Sequence, residues 1–112
     1  MNNHARLGVG SPVTDPFPIA AEDLIEGDPK GRVALLRDEP SVMSGFFEAE
    51  PSRFHYTWTG DEMITVLDGR VTIELDDEHL DLGPGDSAFI RKGQKGIWHL
   101  HAPFREFFVY IS

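Results

Sequence analysis

The sequence predicts an all-β fold, an antiparallel sandwich or barrel, on three observations. Short runs rich in aromatic and β-branched residues recur at intervals of roughly 8–12 residues, the spacing of strands in such folds. Turn signals separate them: Asp68-Gly69, Gly83-Pro84-Gly85-Asp86, the stretch from Arg91 to Gly96, and Ala102-Pro103. No heptad, helical repeat or low-complexity tract runs through the chain.

The elements follow in order. Residues 1–18 are rich in proline and glycine, show neither helical nor strand periodicity, and read as a flexible N-terminal arm. Residues 19–112 read as the domain proper. IAAEDLIEGDPK suggests a short turn or helix stopped by Gly27, Asp28 and Pro29. RVALLR is a first strand, and SVMSGFFEAEPSRFHYTWT carries more strand-forming sequence. EMITVL, the turn dipeptide Asp68-Gly69 and RVTIEL read as a hairpin, with Val71, Ile73 and Leu75 alternating against polar neighbours. DDEHLD is an acidic turn leading into LGPGDSAFI. IWHLH and REFFVYI close the series as strands.

Composition narrows the function. At 112 residues the chain has the length of one domain, and 40% hydrophobic with 26% charged residues is globular rather than disordered. Ten basic against nineteen acidic residues give a net charge of −9, a surface that repels phosphate backbones and anionic lipid. Nucleic acid and membranes are therefore not expected as partners. No apolar run reaches the ~18–20 residues that span a bilayer, and no signal-peptide pattern opens the chain. Cysteine is absent, which removes disulfides, thiolate nucleophiles and zinc–cysteine sites and suits a cytoplasmic location. Phosphate-loop, dinucleotide, nucleophile-elbow and zinc-protease motifs are missing.

The string TGDEMITVLDGRVTIEL, followed by LGPGDSAFIRKGQKGIW, resembles the cupin superfamily. GFFEAEPSRF ahead of it and GIW…PFREFFV behind it place the likeness among small cupins related to ureidoglycine aminohydrolase and the ethanolamine-utilisation cupins. The resemblance spans about residues 44–111 and implies an antiparallel jelly roll. It leaves the activity open, because cupins serve unrelated chemistries. A cupin's first motif runs His-x-His, three or four residues, Glu, six residues, Gly, and Glu62 with Gly69 matches its second half. With a four-residue spacer the histidine positions fall on His55 and Thr57. In the second motif Gly85 and Gly93 keep register, while Arg91, Gly96 and Leu100 replace proline, histidine and asparagine.

Counting ligands disfavours a divalent metal, because His55 and Glu62 are two candidates where a catalytic site takes three or more. Glu62 is the catalytic candidate, since a carboxyl inside an apolar barrel has a raised pKa and suits general acid–base work. Its bland alternative is a hydrogen-bonded structural carboxylate. His55, Tyr56, Trp58, Phe89, Trp98 and Phe108 are the candidates for lining a ligand pocket, set against simple core filling. Trp98 would stand beside the vacated Gly96 position. His99 and His101 share a face that parity directs outward. Arg91, Lys92 and Lys95 would gather an anion or keep a turn soluble, and Glu106 stands where related small cupins often carry a basic residue.

The expected function is a cupin that binds a small polar metabolite in the barrel, either independent of metal or binding one only weakly through His55 and Glu62. The alternatives are a metal-dependent, aminohydrolase-like enzyme using Glu62 and His55, and a non-catalytic structural dimer. A homodimer is expected in each case, because the final strand FREFFVYI is apolar on both faces.

Overall fold

The computed structural model describes residues 4–112. Its strands are β1 (Asp15–Pro16), β2 (Leu24–Gly27), β3 (Arg32–Glu39), β4 (Val42–Ala49), β5 (Ser52–Thr57), β6 (Asp61–Asp68), β7 (Val71–Glu74), β8 (His79–Leu82), β9 (Ser87–Ile90), β10 (Lys95–Leu100) and β11 (Phe104–Ile111). Its one helical element among the described residues is the 3₁₀ turn Ala21–Asp23. Two antiparallel sheets face each other, ordered β1-β3-β4-β11-β6-β9 and β2-β5-β10-β7-β8. This is the jelly-roll arrangement that the sequence predicts, and period-two alternation builds it. Val71 and Ile73, Trp98 and Leu100, and Phe104, Glu106 and Phe108 all turn into the space between the sheets and are buried.

Three local expectations need correction. The Asp68-Gly69 turn does not join a hairpin, because β6 pairs with β11 and β9 whereas β7 pairs with β10 and β8. The chain crosses from one sheet to the other there. Gly69 has φ +81°, and a Cβ on it would stand 2.4 Å from the Pro103 carbonyl oxygen, so only glycine fits. The acidic turn DDEHLD contains a strand, since β8 pairs with β7 from Glu74↔His79 to Val71↔Leu82. Residues 24–27, read as part of a turn or helix, form an edge strand on β5.

The arm, whose residues 1–3 lie outside the described residues, is tied down from Val13 onward. Val13 is buried and β1 pairs with β3. The Phe17 N–H donates to the Gly31 carbonyl at 2.8 Å, and the Phe17 ring meets Phe47 edge-on at 5.9 Å. Apolar contact therefore holds a proline-rich segment whose own pattern specifies no regular structure.

Candidate functional site

The end of β5 sets the geometry of the site. Beyond Thr57, the Trp58 N–H donates to the Gln94 carbonyl at 2.9 Å and the Gly93 N–H donates to the Trp58 carbonyl at 2.7 Å. These bonds extend the pairing of β5 with β10 and fix its parity: Phe54, Tyr56 and Trp58 point between the sheets, and His55 and Thr57 point out. The four-residue spacer assumed for the first cupin motif is therefore wrong by one residue. The inward pair before Glu62 is Tyr56 and Trp58.

A cavity of about 250 Å³ lies between the sheets at this end. Phe54, Tyr56 and Trp98 contribute from the five-stranded sheet, Glu62, Glu106, Phe108 and Tyr110 from the six-stranded sheet, Phe17 from the arm, and Ile19 from just beyond it. Val33, Met43 and Phe47 complete the apolar wall, and Thr59 stands at the turn before β6. Trp98 is the hub of the aromatic side, stacked on Phe54 at 6.2 Å and on Trp58 at 6.3 Å and meeting Tyr56 edge-on at 6.1 Å. The Thr59 and Tyr110 hydroxyls hydrogen-bond to each other across the strand ends.

Of the sequence-predicted site residues, Glu62, Tyr56, Trp98 and Phe108 meet at this cavity. Trp58 stands behind it, 1% exposed, and its indole N–H donates to Glu62 Oε1 at 3.0 Å. His55 and Phe89 do not belong. His55 is exposed in a shallow outer depression with Glu74 and Lys95, so it cannot act together with Glu62. Phe89 is 51% exposed on the outer face of β9, with the Arg91 guanidinium 5.4 Å above its ring. His99 and His101 lie outside the core, as parity requires, and His101 Nε2 lies 2.8 Å from the Thr72 hydroxyl.

The group that sequence reasoning missed as a site residue is Glu106. It is 2% exposed, lines the cavity, and its Oε1 has no hydrogen-bond partner among the described residues. Its signal was the alternation Phe104, Glu106, Phe108, which gives all three one face. Its neighbour Arg105 turns outward, 3.2 Å from Glu48 Oε2 and 4.4 Å above the Phe46 ring. The Trp98 indole N–H is likewise buried and unpartnered among the described residues.

Burial governs the electrostatics. Loss of solvation pushes the Glu62 carboxyl up to about 7, against the opposing pull of the Trp58 hydrogen bond. Burial, with the Glu62 charge adding to it, holds Glu106 well above the ordinary carboxyl range. Burial and then the charge of Glu62 also raise Tyr56, which keeps its phenol neutral. A carboxyl titrating near neutrality in an apolar cleft can take up or release a proton under physiological conditions.

The residues do not fit a metal centre of the kind found in many cupins. Tyr56, Trp58 and Gly96 stand where that kind of centre has histidines, leaving Glu62 alone of the four. A Cβ on Gly96 would lie 2.6 Å from the Glu74 carbonyl oxygen and 3.3 Å from the Trp58 ring, so the indole occupies the space a ligand there would need. Among the described residues no three His, Asp or Glu side chains cluster in a way that could hold an ion.

Two facing antiparallel sheets with Glu62 turned inward from the first motif define a small cupin. The chain belongs to the family described as EutQ-like cupin domain, whose model matches residues 37–108. The structure resembles the Clostridium difficile EutQ protein at 22% identity and a TM-score of 0.68, over 85% of this chain and 80% of that one. A cupin superfamily protein of Desulfitobacterium hafniense is similar at 23% identity and a TM-score of 0.66, covering 96% and 98% of the two chains. A Pseudomonas syringae protein of unknown function reaches a TM-score of 0.85 at 20% identity, over 93% of this chain and 46% of that one. No curated protein matches the sequence.

Proposed function

We propose that the cavity between the sheets binds a small polar metabolite and does so without a resident metal ion. The observation that carries this reading is the pair of unpartnered buried polar groups on one cavity, Glu106 Oε1 and the Trp98 indole N–H. An unsatisfied buried donor or acceptor costs free energy, and a bound molecule that pairs with it recovers that cost. Trp98 and Trp58 make the site self-reporting: a metabolite screen should change tryptophan fluorescence and raise the unfolding temperature together. Loss of both responses in Trp98→Phe and Glu106→Gln would place the binding here. Full responses in both variants would place it elsewhere.

A catalytic reading has Glu62 as its support, because a carboxyl held at about 7 can serve as general acid or base. Turnover of a bound metabolite that disappears in Glu62→Gln, with binding retained, would establish it. The −9 charge, the absence of cysteine and the lack among the described residues of any helix long and apolar enough to cross a membrane suit work on metabolites in the cytoplasm.

We infer in addition that the six-stranded sheet pairs with a second copy of itself. Its outer face carries Phe46 beside Phe107, Val109 beside Met63, and Met63 beside Phe89. Met63 and Phe89 are 47% and 51% exposed, an apolar stretch that isolated domains cover. Light scattering should give about twice 12.6 kDa, and Phe107→Lys should return the mass to one chain.

A further inference from the structure

The cavity holds two carboxyls in a lining otherwise made mostly of aromatic and aliphatic side chains, and this combination selects among small molecules by charge. Glu62 on β6 lies opposite Tyr110 in register, Glu106 opposite Val66, and Phe108 lies between them along β11. Two carboxyls therefore enter one cavity from adjacent strands, separated by an aromatic ring. No lysine, arginine or histidine lines the cavity among the described residues. Isolated carboxylates in so apolar a space are expensive, and proteins keep them when something positive or proton-donating completes them. Trp58 completes part of Glu62, but nothing among the described residues completes Glu106 Oε1.

We propose that the ligand is a small organic cation, a primary ammonium ion with a short tail, whose N–H groups meet Glu106 while its carbon atoms lie against Trp98 and Phe108. This rests on the reading of the cavity as a binding site and specifies its chemistry. An ammonium supplies the donors that Glu106 lacks, and its charge favours the ionised form of the carboxyl it meets. The aromatic faces favour a cation over a neutral molecule of the same shape. A carboxylate or phosphate ligand would oppose ionisation of these carboxyls, with no basic side chain lining the cavity among the described residues to hold it. A cavity of about 250 Å³ has room for a small organic ion.

A proton count accompanies binding. Near neutral pH the empty pair holds protons, because both carboxyls are shifted upward by burial. The ammonium ion enters already protonated, so the carboxyl proton it displaces leaves to solvent as the carboxylate–ammonium pair forms. The other titratable groups facing the pair are Tyr56 on β5 and Tyr110 on β11, both phenols. The arm, β3, β4 and β10 present Phe17, Val33, Met43 and Trp98, which do not titrate.

The test is calorimetry with tryptophan fluorescence on the full chain, using three short-chain probes of similar size: n-butylammonium, 1-pentanol and butyrate. Butylammonium should bind at least about tenfold more tightly than pentanol at about pH 8, and butyrate should not bind. Near pH 7 its binding should release protons, read as a heat that changes with the ionisation enthalpy of the buffer, and affinity should fall as the pH is lowered. Glu106→Gln should weaken butylammonium about tenfold or more and leave pentanol unchanged. The pH series on the unaltered protein carries the same test should that variant fold poorly. Equal affinity for butylammonium and pentanol, or tighter butyrate, overturns the charge selection while leaving a small-molecule site. A fluorescence and heat response to none of the three, with none in the wider metabolite screen, overturns both readings.

Discussion

The two ends of the sandwich interior are built differently from the same strands. At one end Ile64, Val66, Val71, Ile73 and Leu100 are each no more than 1% exposed and form an aliphatic core. At the other, Tyr56, Trp98 and Phe108 leave a cavity, and Glu62 and Glu106 place carboxyls in it. The strands β6 and β10 contribute to both regions, so along them the difference comes from side chains rather than topology. Aliphatic residues close one end by interdigitating to crystal-like density. Flat rings that meet edge-on and stacked do not close the other, and Glu106 Oε1 and the Trp98 indole N–H there lack partners among the described residues. One end holds the fold together, and the other gives up some of that stability to keep an opening.

The sharpest way to break this comparison is to truncate one residue at each end. Ile73 is fully buried and lies between Trp98 on β10 and Leu80 on β8. Ile73→Ala should cost about 3 kcal/mol and lower the unfolding temperature by roughly 10–15 °C in a domain of this size. Met43 lines the existing cavity and is half-buried, so Met43→Ala should cost about 1 kcal/mol or less, because less contact is lost there. Chemical denaturation of both variants measures the two costs side by side. Equal losses would mean that the cavity end contributes to the fold as fully as the aliphatic end.

The difference between the ends also explains what was legible in the sequence. The aliphatic end follows from alternation, since Val71, Ile73 and Leu100 can be placed inward without knowing any partner strand. The sheet to which each strand belongs is not local information. Asp68-Gly69 has the chemistry of a hairpin turn, and the same φ > 0 glycine serves a crossover between sheets when β11 claims β6 and β10 claims β7. At the cavity end the family likeness pointed to Glu62, but a one-residue choice of spacer exchanged His55 and Thr57 for Tyr56 and Trp58. A single-residue slip reverses every side chain in a strand, and the hydrogen bonds from Trp58 to residues 93 and 94 that settle it are long-range. Glu106 was readable from parity between Phe104 and Phe108. Its role was not, because that depends on Glu62 entering the same cavity from another strand.

A smaller effect sharpens the comparison through pH, because the carboxyls confine an electrostatic cost to one end. Glu62 sits at about 7 in the folded protein against an ordinary 4.5, so the native state binds its proton more tightly than the unfolded chain does. The stability this contributes is fully present below about 4.5 and is lost as the pH rises through about 7. Glu106 acts in the same direction, since burial raises it as well. Glu62→Gln keeps an acceptor for the Trp58 indole N–H and removes the charge. It should unfold several degrees higher than the parent at about pH 8 and converge with it near pH 5. The difference between the two proteins isolates the site, because the acidic residues away from the cavity titrate alike in both. Part of the residual slope should vanish too, since Glu106 no longer faces a charged neighbour. A parent and variant that stay parallel from pH 5 to pH 8 would mean that water or a counter-charge already relieves Glu62, and the acidic cavity would then cost the fold nothing.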